Sequence, residues 1–179
     1  MTSPDAPARV TVPVVDFHVE YPYDAAADAV FAMFSNPEFI LAKLDATLAT
    51  ECEVVECAET ADGGFRIVTN RTVEADIPGF AKKVFKPTNA LMQIEDWQAA
   101  ATGTRPGTWR IETKGVPVST GGVTRLESTA AGAVQHIEGT IKVSVPLIGG
   151  RLERFVYDQA HRTLDIEHEF GRQWLAERS

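Results

Sequence analysis

Hydrophobic positions change their period twice along the chain. From Val14 to Tyr23 they alternate: Val15, Phe17, Val19 and Tyr21 fall on one side, Asp16, His18 and Glu20 on the other. A period of two predicts a half-buried strand. Between Asp24 and Leu48 the period lengthens. Val30, Phe31 and Phe34 give a first short helix its apolar side, with Asp24 as the expected N-cap. Asn36 followed by Pro37 suits the cap and first turn of a second, whose stripe continues through Ile40, Leu44 and Leu48.

From Glu51 to Val145 the pattern returns to short strands separated by turn residues. "ECEVVECAET" and "FRIVTNRTVEA" flank "ADGG", and "LMQIEDWQAAA" and "TWRIETKGVPV" flank "TGTRPG". "VTRLESTAA" follows "STGG", and "AVQHIEGTIKVSV" comes last. About six strands joined by short turns predict an antiparallel sheet. Pro146 and the pair Gly149-Gly150 then stop the last strand. Beyond them the pattern predicts one helix of about thirty residues, roughly 45 Å long at about 1.5 Å per residue. Seven strands curved round that helix would bury its stripe. The expected fold class is therefore α+β, with two short helices after the first strand and a long C-terminal helix gripped by a curved antiparallel sheet.

Projected at about 100° per residue from Leu152, the long helix shows one apolar face. Phe170 shares its centre, and Ile148, Phe155, Val156, Ile166 and Trp174 lie within about 60° of it. Gln159 and Thr163 fall nearly at the centre too, where a core helix would carry Leu or Val. A buried amide without partners costs about 1–3 kcal/mol. Gln159 therefore either bonds to sheet, backbone or trapped water, or faces a wet or ligand-filled cavity. The opposite face carries His161, Asp165 and His168 beside Arg154 and Arg172. That grouping reads as a solvated face, with a surface metal site as the weaker alternative. His18 and His136 lie on polar strand faces and are assigned no role.

Composition narrows the class. The chain has 179 residues, 44% hydrophobic and 23% charged, enough for one core without staples. Its net charge of -8 argues against nucleic acid as a partner. Residues 1–12 are rich in Pro, Ala and Ser and are expected to be disordered, leaving 13–179 as a single domain. No apolar run approaches a membrane span and no secretory signal opens the chain, so a cytoplasmic location is expected. Cys52 and Cys57, five apart on one strand, should face opposite ways about 16 Å apart, as reduced thiols.

Four segments carry a resemblance: "EYPYDAAADAVFAMFSNPEF", "RTVEADIPGFAKK", "GTW" and "IKVSVPLIGGRLE". Their order, from about Phe17 to Ala176, resembles the START-like, helix-grip superfamily (often called SRPBCC), and within it an actinobacterial branch without an assigned activity. The superfamily includes lipid-transfer domains, plant pathogenesis-related allergens and aromatic polyketide cyclases. The resemblance implies a cavity between sheet and helix that often holds an apolar or amphipathic ligand. Catalytic residues differ among members, and it carries none over to this chain.

Candidate ligand contacts come from the faces that would line such a cavity: Phe155, Gln159, Thr163, Ile166 and Phe170 from the helix, and Arg71, Glu95 and Trp97 from the strands. Arg71 shares a face with Phe65, Ile67, Thr69 and Val73, and Glu95 with Leu91, Gln93 and Trp97. Either these faces look inward and Arg71 and Glu95 form a buried pair, or both charges point to solvent and Val68, Met92 and Ile94 look inward. "DIPGFAKKVFKPTN" interrupts the strands with Phe80 and Phe85 between lysines. It reads as a structural cover, or as a gate over the cavity mouth with at most weak, transient membrane contact.

The expected function is binding or transport of a small hydrophobic or amphipathic ligand, of lipid, polyketide or isoprenoid type, without catalysis, metal or cofactor. The alternatives are a polyketide cyclase or hydratase using the same cavity, and an interaction protein whose core its own side chains fill.

Overall fold

A computed structural model describes residues 14–178. The N-terminal extension expected to be disordered lies outside the described residues. The element order is β1 (Val14–Tyr23), α1 (Ala27–Phe34), α2 (Pro37–Ala46), β2 (Thr50–Glu59), β3 (Phe65–Glu74), β4 (Thr88–Trp97), β5 (Thr104–Thr113), β6 (Val118–Thr129), β7 (Gly132–Val143) and α3 (Gly149–Ala176). All seven strands form one antiparallel sheet in the order β1-β7-β6-β5-β4-β3-β2. The first strand thus closes on the last, and α1 and α2 fill the long step from β1 to β2 at the other edge.

Local chemistry explains the element ends. Asn36 caps α2, its side chain accepting the Glu38 amide at 2.8 Å, with Pro37 in the first turn. Asp24 does not cap α1: Ala26 holds that position without a side-chain cap, and Asp24 meets Arg172 instead at 3.7 Å. The stripe of α2 ends at Leu44, because the helix stops at Ala46 and Leu48 turns outward at φ 60°. At the start of α3, buried Glu153 accepts the Val143 amide at 3.0 Å and ties the helix to the end of β7.

Two glycine signals belong to strands and not to turns. Gly121 and Gly122 lie inside β6, and the reversal before it falls at 114–117. Their lack of a side chain serves close approach across the sheet. A Cβ on Gly122 would collide with the Glu138 carbonyl, and one on Gly139 would stand 2.5 Å from the Trp109 ring and 2.6 Å from Phe17. Phe17, Gly139, Gly122, Trp109 and Glu95 form one cross-strand row, and the two aromatic rings meet over the glycines with centroids 6.0 Å apart. Similarly, Thr104–Gly107 begin β5, so the preceding turn spans 98–103.

β2 departs from simple alternation. Its register with β3 slips between Thr50 and Glu53 and again between Val54 and Glu56. An extra residue in a bulge turns the strand over. Cys52, Val54 and Cys57 consequently all pack against the core, and the cysteines do not face opposite ways. Both are free thiols.

The 28 residues of α3 lie across the concave face, with Leu152 fully buried. On its His161–His168 face the two histidines pack against neighbouring rings, while Asp165, Arg154 and Arg172 stay exposed, so the face is solvated only in part. His161 stacks between Tyr157 and Phe17, at 4.2 and 5.6 Å. His168 lies on Tyr21 at 4.6 Å and its Nε2 donates to the Pro22 carbonyl at 2.8 Å. Among the described residues, no helix is long and apolar enough to cross a membrane.

Candidate functional site

Between the concave sheet and α3 lies a cavity of about 440 Å³, within the range of small-molecule sites. Its wall is mainly apolar, with charged groups gathered from four elements, α2, β3, β4 and α3. The strands supply them because β3 and β4 present alternate residues inward. Arg71 and Glu95 both line the cavity, which decides the orientation that the sequence left open. Val68 and Ile94, directly paired across β3 and β4, are also buried, but on the opposite side of the sheet.

Arg71 and Glu95 do not pair with each other. Glu95 is held by its own strand: Oε1 accepts from Gln93 Nε2 at 2.7 Å and Oε2 from Trp97 Nε1 at 3.1 Å. Arg71 is 6% exposed, and its Nη1 is buried without a hydrogen-bond partner among the described residues. Burial pushes the guanidinium down from its ordinary pKa, and the more distant Glu167, Glu95 and Cys52 act the other way. A buried donor left unmade costs about 1–3 kcal/mol, and more when charged.

Besides Glu74 and Arg162 at its exposed rim, two further charged residues line the cavity that sequence reasoning passed over. Lys43 on α2 and Glu167 on α3 meet at 3.1 Å, with side chains 17% and 15% exposed. Burial alone would lower the Lys43 pKa. The Glu167 and Glu95 carboxylates outweigh it, and the net direction is upward. The sequence held signals for both residues. Lys43 lies between Ile40, Leu44 and Thr47 on one helical face, all of which line the cavity. Glu167 falls about 60° from Leu152 in the projection that picked out Gln159 and Thr163.

The remaining candidates divide. Phe155, Gln159, Thr163 and Ile166 line the cavity, Ile166 at its exposed rim. Phe170 does not. It stacks on Phe39 at 5.9 Å, beside Trp174, and closes the hydrophobic end of α3. Trp97 also stands outside the lining, because its ring packs against Phe31 and Phe34 under α1. It touches the site only through its bond to Glu95.

The segment between β3 and β4 folds over one end of the cavity. Ala75 and Pro87 hydrogen-bond across its base, and Asn89 bonds both the amide and carbonyl of Lys86. Phe85 is buried in the cavity wall and meets Phe155 edge-on at 5.9 Å. Phe80 lies outside the lining, under the Arg151 guanidinium at 4.3 Å. Ile77 and Ala81 are buried with Phe85, so the segment is a packed cover in this conformation.

Outside the cavity, His18, Glu20 and His136 bring donor atoms within 4.8 Å of one another on the outer face of β1 and β7. Their neighbours Glu127 and Glu138 make them part of a surface ion-pair lattice that also holds Arg125.

A curved antiparallel sheet closed around a long C-terminal helix and an internal cavity is the START-like, helix-grip fold. Comparison with solved structures agrees. The chain superposes on TTHA0849 from Thermus thermophilus with a TM-score of 0.60 at 15% identity, over 93% of this chain and 99% of that one. It superposes on norcoclaurine synthase from Thalictrum flavum with a TM-score of 0.59 at 13% identity, over 100% and 96%. A STAR-related lipid transfer protein fragment from Xanthomonas axonopodis gives a TM-score of 0.59 at 18% identity, over 95% and 97%. Within this class, residues 17–175 match the family described as protein of unknown function (DUF2505), and the chain belongs to it. An uncharacterized protein of Mycobacterium tuberculosis is 24% identical over 166 residues, 89% of this chain and 95% of the relative.

Proposed function

We propose that the protein binds or carries a small hydrophobic or amphipathic ligand, of lipid, polyketide or isoprenoid type, in the cavity between sheet and α3. The observation that carries this reading is the cavity itself, about 440 Å³ with a mainly apolar wall. A core filled by its own side chains would be close-packed, with few voids larger than a water molecule. Fold relatives support the reading in kind: one is a lipid transfer protein and another was solved with dopamine and hydroxybenzaldehyde. Arg71, Glu95, Gln159 and Thr163 are the polar contacts of this proposal, and Phe155 and Ile166 the apolar ones. Phe80 and Phe85 serve as its gate.

A second reading is a cyclase- or hydratase-like enzyme. It is favoured by the Lys43–Glu167 pair and Glu95, which offer acid-base groups inside the same space.

Native mass spectrometry of protein purified from its own host tests the binding reading, with an environment-sensitive apolar dye as the second probe. A retained small molecule, or one saturable dye site on the folded protein, is expected. Folded protein with no adduct and no saturable dye binding would overturn it.

A further inference from the structure

We infer that the cavity takes an amphiphile with a monoanionic carboxylate head, held by Arg71, and an apolar body lying along the Phe85–Phe155 wall. The inference rests on the binding reading above and specifies its ligand class.

Arg71 is the starting point. It faces the cavity, is 6% exposed, and its Nη1 has no hydrogen-bond partner among the described residues. The nearby carboxylates are already committed: Glu167 to Lys43 at 3.1 Å, and Glu95 to Gln93 and Trp97. Neither comes within ion-pair distance of the guanidinium, although both act on it electrostatically. An arginine keeps its charge under all ordinary conditions and presents a planar fork suited to two oxygens at once. A cation buried in this way, with its fork unused, is a receptor for an oxyanion.

The surroundings choose among oxyanions. Glu95 and Glu167 face the same space as Arg71. Glu74 and Arg162 line it as well, at its exposed rim, and of the cations Lys43 is spent on Glu167. A dianionic phosphate would bring a second negative charge toward these carboxylates. A carboxylate brings one, and its two oxygens match the fork. Beside these charges the cavity offers apolar wall: Leu91 is the cross-strand partner of Arg71, and Val73, Leu44 and Ile77 line the same space. A free inorganic anion would gain nothing from this wall, whereas an acid with a hydrocarbon or aromatic body fills it.

The experiment is dye displacement on the full chain, below the micellar concentration of each probe. Dodecanoate, dodecanol and dodecyl phosphate are compared on wild type, Arg71→Met and Arg71→Lys. Circular dichroism and thermal unfolding verify the fold of each variant. In wild type, dodecanoate should bind at least about tenfold more tightly than dodecanol, a difference of about 1.4 kcal/mol, and more tightly than dodecyl phosphate. That acid-to-alcohol ratio should fall to about one in Arg71→Met. Arg71→Lys, which keeps the charge but loses the fork, should show an intermediate ratio, and it carries the test if the Met variant does not fold.

A wild-type ratio near one, with both probes binding, overturns the carboxylate inference and leaves the cavity reading standing. So does a ratio that survives in Arg71→Met. Tighter binding of dodecyl phosphate overturns the choice of carboxylate. Failure of the dye and every probe to bind folded wild type overturns both the inference and the reading beneath it.

Discussion

Lys43 Nζ lies 3.1 Å from Glu167 Oε2, and this contact ties α2 to α3 across the wall of the cavity. It is the polar fastening between two helices that otherwise meet through apolar side chains such as Phe39 against Phe170 and Trp174. Its energetic role comes from burial. Removing one partner of a buried pair strands the other charge and costs about 3–5 kcal/mol. With both side chains slightly exposed, Lys43→Met should fall toward the lower end of that range. Glu167→Gln should lose stability as well, and the Lys43→Met/Glu167→Gln double variant should lose clearly less than the sum of the two. A double-mutant cycle in urea measures this, and additive losses would show that the pair is not coupled.

The cover between β3 and β4 gives two phenylalanines different tasks. Phe85 is buried against Phe155 in the cavity wall, so Phe85→Ala should destabilise the fold by about 3–5 kcal/mol. Phe80 is half-buried at the edge of the core under Arg151, so Phe80→Ala should cost clearly less than Phe85→Ala. If the segment is also a gate, Phe80→Ala should speed dye entry and exit by more than its smaller loss of stability accounts for. Stopped-flow dye kinetics beside chemical denaturation separate the roles. Equal destabilisation by both variants would mean the whole segment is core.

The general architecture was legible because the period of the hydrophobic pattern changes where the elements change. The curved sheet and long helix come from that pattern and the stops at Pro146 and Gly149-Gly150. So did the placement of Gln159 and Thr163, since a helix fixes angle from sequence number alone. The misreadings share a physical cause: a local signal with a tertiary purpose. Gly121-Gly122 looks like a turn, yet both lie inside β6, and Gly122 pairs with Gly139 in the row where Trp109 and Phe17 meet across β6 and β7. The β2 bulge that brings Cys52 and Cys57 to one face leaves no mark in composition. Nor does sequence reveal that the histidine face of α3 meets β1, because Tyr21 and Tyr23 are its partners from about 140 residues away.

That α3–β1 contact has a titration signature. The Tyr21 hydroxyl donates to Asp165 at 2.8 Å. Burial, and then the Asp165 carboxylate, push its pKa well above the ordinary value of 10.0. Burial, followed by Glu167 and Tyr21, raises that of Tyr23. Above about pH 10 the unfolded chain releases these protons while the folded chain keeps them. Their contribution is therefore complete below the unfolded value and is lost as pH rises toward the folded one, so stability should decline through the alkaline range. Tyrosinate absorbance of the folded protein should show a component that ionises late, and Tyr21→Phe should shrink it and flatten the alkaline decline. Ionisation of Tyr21 near pH 10 in folded protein would contradict the assignment.

Gln159 and Thr163 present the last question, whether polar groups on a buried stripe serve the fold or the cavity. Both line the cavity, and neither is among the buried side chains left without a partner. No direct bond to the sheet is formed by Gln159 that its removal would strand, among the described residues. Gln159→Leu keeps the size of the side chain and removes a group that costs free energy to desolvate. Stability should stay the same or rise. Binding of a polar-headed ligand that meets this amide should weaken by about 1–2 kcal/mol, the scale of one lost hydrogen bond. A purely apolar dye should bind nearly as before. Urea unfolding and paired titrations read the two effects independently. A loss of about 1–3 kcal/mol in stability with ligand affinity unchanged would make Gln159 a tie between helix and sheet, and would remove it from the binding surface.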